Sequence, residues 1–81
     1  MTTVSIRTKA IPASGKLSDR VAAWTKNGHR LTMPVLEDSF NEHERVADCL
    51  ASLLVPYDVT YALGQVREAQ YWNEWQVIWH D

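Results

Sequence analysis

The feature that most restricts the fold is an Asn27-Gly28 pair set between two stretches of alternating apolar and polar residues. Before it, residues 19–26 place Val21, Ala23 and Thr25 on one side and Arg20, Ala22, Trp24 and Lys26 on the other. After it, residues 29–35 alternate Leu31, Met33 and Val35 with Arg30, Thr32 and Pro34. A period of two is that of a strand with one face buried. Asn-Gly readily supplies the two positive φ values of a type I′ turn, so the pattern predicts an antiparallel hairpin. Pro34 has no N–H to give to a ladder, which suits a strand end or a sheet edge.

The same period recurs upstream, where Val4, Ile6 and Thr8 alternate with Ser5, Arg7 and Lys9 and predict a strand over residues 3–11. Residues 12–18 break it with proline, serine and glycine. Downstream the period changes. Val46, Cys49, Leu50, Leu53 and Leu54 fall at helical spacing, with Glu44, Arg45, Asp48 and Ser52 facing away. Two capping registers precede this helix, Ser39-Phe40-Asn41-Glu42 as a capping box and Asn41 with Glu44. Pro56 ends it, because the residue before a proline is pushed out of α geometry.

Val59, Tyr61 and Leu63 alternate again, and Gly64 predicts a strand end or a bulge. Residues 71–80 admit two readings. A helix would gather Tyr71, Trp72, Trp75, Ile78 and Trp79, whereas a strand would align Trp75, Val77 and Trp79; the aromatic and β-branched content favours the strand. The expected fold is therefore α+β, an antiparallel sheet of about five strands in the order βββαββ with one helix packed on one face. The other face is left to water. With 81 residues the chain builds one core, so residues 1–81 form a single domain.

One cysteine, Cys49, excludes an internal disulfide and favours a reducing compartment. The opening residues lack the apolar core of a secretory signal, and no stretch approaches the roughly 20 apolar residues of a membrane span. The expected location is the cytoplasm. Catalytic chemistry is not evident. His29, His43, Cys49 and His80 share no metal-ligand spacing, and no metal or cofactor is expected. His43 reads as a packed or capping histidine and Cys49 as a buried thiol. The carboxylate pairs Glu37/Asp38 and Glu42/Glu44 lie in the most polar stretch and read as a solvated turn and first helical turn rather than as an acid–base pair, which would need burial.

Charge is more informative. Residues 1–36 carry six cations against Asp19 alone, a net of +5, while residues 37–81 carry Arg45 and Arg67 against nine acids, a net of −7. If Val4, Ile6, Val21, Ala23, Leu31 and Met33 face the helix, then Arg7, Lys9, Arg20, Trp24, Lys26 and Arg30 project from the opposite sheet face. Cations around an aromatic suit single-stranded nucleic acid or an acidic protein. Solvation of an exposed sheet is the plainer use of the same residues. The acids Glu37, Asp38, Glu42, Glu44 and Asp48 form the opposite candidate, a cluster able to imitate a phosphate backbone, with a solvated helix start as its plain reading. Four tryptophans exceed what so small a core requires: Trp75 and Trp79 fill it, leaving Trp24 and Trp72 as interface anchors or as part of a homodimer face.

The strings Arg20-Val21-Ala22-Ala23-Trp24, Leu31-Thr32-Met33-Pro34 and Asn41-Glu42-His43-Glu44-Arg45-Val46-Ala47, with the T-x-S-I-R-T opening at residues 3–8, resemble small proteins encoded by phages and prophages. The likeness spans most of residues 2–55. Within that group the chain resembles anti-CRISPR inhibitors of the type I-C system. The resemblance implies a cofactor-free stoichiometric blocker that binds the crRNA-guided Cascade complex in the host cytoplasm and prevents target-DNA recognition. Trp72-Asn73-Glu74-Trp75 departs from the glycine-rich ending of that group, and no binding residues carry over. Two further readings are a small phage protein that binds nucleic acid directly through the basic face, and an assembly module.

Overall fold

The computed structural model describes residues 1–36 and 41–80. Glu37, Asp38 and the Ser39-Phe40 start of the capping box lie outside the described residues. The elements run β1 (Thr2–Ile11), β2 (Arg20–Trp24), β3 (Arg30–Pro34), α1 (Glu42–Leu54), β4 (Tyr61–Glu68) and β5 (Asn73–Trp79). The five strands form one antiparallel sheet in the order β3-β2-β1-β5-β4, with α1 on one face. This is the α+β arrangement that the alternation predicts.

β1 occupies the centre, paired with β2 over residues 7–11 and with β5 over residues 2–8. Its alternation is reproduced as burial: Ile6 and Thr8 are fully covered, while Arg7 and Lys9 are exposed. The last segment is a strand, and Trp75, Val77 and Trp79 all point into the core. They meet Val21 and Ala23 of β2 and Val46, Ala47, Leu50 and Ala51 of α1. Cross-strand hydrogen bonding on both sides of β5 decides against the helical alternative.

Five local expectations need correction. The β2–β3 hairpin forms, with Arg20↔Pro34 and Trp24↔Arg30 as its outermost partners. Its turn, however, is not type I′: Gly28 has φ +93° while Asn27 keeps negative φ. The Gly28 amide donates to the Thr25 carbonyl (3.2 Å) and the Thr25 amide to the His29 carbonyl (2.9 Å). This is a three-residue loop, a type I turn closed by glycine in the left-handed region. The single extra residue shortens β2, which ends at Trp24 rather than Lys26.

The buried stripe of α1 is also turned relative to the expected one. Val46, Ala47, Leu50 and Ala51 are buried, Cys49 is only half-buried, and Leu53 is 72% exposed. Alanines at positions 47 and 51 let the helix backbone approach the sheet, and the larger Leu53 is left outside. Gly64, expected at a strand end or bulge, lies within β4; the register shift falls between Gln65 and Arg67. Glu42, expected to be solvated, has a side chain only 11% exposed, lying under Arg45.

Asn41 is the helix cap. Its Oδ1 accepts from the Glu44 amide (3.1 Å), and its Nδ2 donates to the Glu44 carboxylate (3.2 Å). At the other end Val55 turns extended before Pro56. Arg45 fastens the first turn to the sheet edge, donating to Glu42 Oε2 at 2.6 Å and to the Pro34 carbonyl at 2.7 Å. No helix among the described residues is long and apolar enough to cross a membrane.

Candidate binding face

Strand register decides which side chains share the open face. Across the five strands the pairings Arg30↔Trp24, Trp24↔Arg7, Arg7↔Glu74 and Glu74↔Arg67 place these five residues in one row, perpendicular to the strands. The neighbouring row contains Thr32, Ala22 and Lys9, and the next contains Pro34, Arg20 and Ile11. Arg7, Lys9, Arg20, Trp24 and Arg30 are thus brought onto one face. Lys26, the first residue of the turn, borders a small hollow with Ser5, Arg7, Trp24 and Glu74, so it belongs to the same surface.

The face has two dissimilar halves. On β1, β5 and β4, the Arg7 Nε lies 3.9 Å from the Glu74 carboxylate. The guanidinium groups of Arg7 and Arg67 sit over the Trp72 ring, at 4.7 and 5.2 Å from its centroid. Two cations are thereby occupied by one indole and one carboxylate, contacts of the kind that contribute about 0.5–1 kcal/mol each at exposed sites. Trp72, an expected interface anchor, joins this face, and Arg67 belongs to it although the alternation did not single it out. The Arg67↔Glu74 register that places Arg67 depends on the bulge in β4, which alternation does not reveal.

On β1, β2 and β3 the cations have no such partners. Among the described residues no ion pair holds Lys9, Arg20, Lys26 or Arg30, and the buried Arg20 Nε has no hydrogen-bond acceptor. Between them lies a depression of about 570 Å³, bordered by Lys9, Ile11, Pro12, Trp24 and Arg30. Ala22 is its floor, being 2% exposed beneath larger neighbours. Trp24 is half-buried and forms one wall.

The acidic candidates are differently disposed. Glu42 pairs with Arg45, Glu44 completes the Asn41 cap, and Asp48 Oδ1 accepts from the Tyr61 hydroxyl at 2.7 Å. That hydrogen bond to a carboxylate, with lesser burial and charge effects, pushes the Tyr61 pKa up to about 12. The three described acids therefore each serve α1 or its junction with the sheet, and Glu37 and Asp38 lie outside the described residues.

A third polar group lies inside. Trp75 Nε1 donates to Thr8 Oγ1 (3.0 Å), and Thr8 Oγ1 lies 2.8 Å from His43 Nδ1. The indole can only donate, so the threonine accepts from it. His43 Nδ1 is the one acceptor within reach of the buried hydroxyl proton among the described hydrogen bonds, which favours the threonine donating to the imidazole. His43 Nδ1 is then the acceptor, in a neutral ring. Burial lowers the His43 pKa, opposed by the nearby Glu68 carboxylate. A hydroxyl beside an imidazole has the outline of a nucleophile and its base, but Thr8 is 0% exposed and no substrate can reach it. Among the described residues no group of three or more His, Cys, Asp or Glu side chains could hold a metal ion.

Comparison with protein families, curated proteins and solved structures gives no match to this chain.

Proposed function

We propose that this chain is a non-catalytic, stoichiometric inhibitor that docks through the β1–β2–β3 half of its open face on a type I-C Cascade complex. By occupying that complex in the host cytoplasm it blocks target-DNA recognition. The observation that carries the choice of surface is the set of cations Lys9, Arg20, Lys26 and Arg30, which have no ion-pair partner among the described residues and share a face with the half-exposed Trp24. Interfaces concentrate their energy in aromatic and arginine anchors, and both are present there. The choice of target follows from the resemblance of most of residues 2–55 to small phage-encoded proteins, some of which are anti-CRISPR inhibitors. Of the two charged candidates, the basic face is preferred because the described acids are engaged in holding α1.

The experiment is a pull-down with purified Cascade followed by a target-DNA gel shift. Co-elution together with loss of the shifted DNA band supports the proposal; no binding and undisturbed DNA capture would sink it. A second reading, direct binding of nucleic acid by a small regulatory phage protein, is favoured by the same Trp24 and its cations. It predicts salt-sensitive binding to an oligonucleotide with no Cascade present.

A further inference from the structure

We infer that the depression over Ala22 is a nucleotide subsite, with the β1–β2–β3 half of the face taking a short run of unpaired RNA or DNA and the β4–β5 half excluded from it. The inference rests on the open face being the contact surface proposed above, and it adds what that face meets within the crRNA-guided complex: single-stranded nucleic acid.

Three features carry it. First, the shape suits one flat ring: Ala22 is the small residue of its row, so the floor is low, and Trp24 stands beside it with Ile11 and Pro12 opposite. A volume of about 570 Å³ is within the range of small-ligand sites. Bases stack on such indoles whatever their identity, because every base has a π-face. Second, the cations are placed for phosphate. Lys9 and Arg30 border the depression, Arg20 lies in the next row of the same face opposite Ile11, and Lys26 borders the neighbouring hollow on the far side of Trp24. An acidic peptide would meet these cations equally well but fills the slot beside the indole only where it places an aromatic side chain there, whereas every nucleotide carries a planar ring next to its phosphate. Third, the row ends itself. Glu74 lies immediately beyond Arg7, and the two arginines at that end are held over Trp72. A carboxylate in the path of a phosphate backbone repels it, so the strand stops at β1. The net charge of −2 does not oppose this local attraction, since screening over about 10 Å at 0.1 M salt confines the influence of the distant acids.

The test measures fluorescence anisotropy of short labelled single-stranded RNA and DNA oligomers, with a duplex of the same sequence as comparison. The expected result is binding of one or both single strands over duplex, with log affinity falling against log salt at a slope of about −3 for four phosphate contacts. Arg30→Ala and Lys9→Ala weaken it, and Trp24→Leu weakens it by roughly ten- to a hundredfold. Arg67→Ala removes the same charge as Arg30→Ala but lies outside the footprint, and leaves affinity within about twofold. Circular dichroism checks that Trp24→Leu folds; Arg30 is exposed on an edge strand, so its variant stands even where the tryptophan variant does not. Absence of single-strand binding overturns the inference, as does equal loss in Arg67→Ala and Arg30→Ala. If Cascade still captures the protein while no oligomer binds, the partner is protein: the nucleotide subsite is then wrong and the inhibitor proposal stands.

Discussion

Thr8 joins three parts of the chain that sequence keeps far apart. Its hydroxyl accepts from Trp75 of β5 and reaches His43 of α1, and all of this is covered by the helix. Thr8→Val keeps the shape and removes both hydrogen bonds, leaving the Trp75 N–H and the His43 ring nitrogen unmatched. Unsatisfied buried groups of this kind cost about 1–3 kcal/mol, which a urea titration would read as a lower midpoint at unchanged slope. The same cluster makes stability depend on pH. His43 has a folded pKa below the 6.5 of the unfolded chain. The unfolded state therefore takes up a proton first as pH falls. Stability is full above pH 6.5, declines as pH drops from there toward the folded value, and levels off below it. His43→Leu should flatten that part of the urea-midpoint profile. Glu68, which partly counteracts the shift, should steepen it when changed to Gln.

At the scale of elements, Asn41→Ala removes the acceptor for the Glu44 amide and should cost about 1 kcal/mol in chemical denaturation. Gly28→Ala meets no steric obstacle, since nothing lies within 4 Å of the added methyl, but φ of +93° strains any side chain. A loss of about 1–2 kcal/mol is expected, with much of it recovered by Gly28→Asn, because asparagine tolerates the left-handed region. These two positions show what was legible. Alternation identified four strands and the inner face of β1, β2 and β3, aromatic and β-branched content decided the fifth, and the Asn41 register was one of the two caps offered by the sequence. The turn type escaped because Asn-Gly serves both a two-residue and a three-residue loop, and only pairing beyond the turn selects between them. The helix stripe was misplaced because leucines were counted and alanines were not; Ala47 and Ala51 are buried by close approach rather than by size. Strand order was beyond reach, since nothing local says that β5 inserts beside β1.

Over the whole molecule, the order β3-β2-β1-β5-β4 converts a division along the chain into a division in space. The basic first half supplies β1, β2 and β3; the acidic second half supplies α1 over one face and β4 and β5 beyond β1. The cations named from alternation therefore do share a surface, whereas Arg67 joined it only through long-range pairing and a bulge. That surface is not uniform: Trp72 and Glu74 occupy the cations of one half, while those of the other have no ion-pair partner among the described residues. Nothing in the charge totals could have made this distinction. The measurement that tests it most directly is a Cascade titration comparing the double variant Lys9→Glu/Arg30→Glu with Glu44→Lys, each first shown to melt like the unaltered protein. The account predicts that reversal on the sheet lowers affinity by more than about tenfold, since truncating a desolvated charge contact typically costs 2 kcal/mol or more. Reversal on the helix should change it little. Unchanged affinity in the sheet variant, with loss in Glu44→Lys, would place the contact on the acids of the helix and contradict the account.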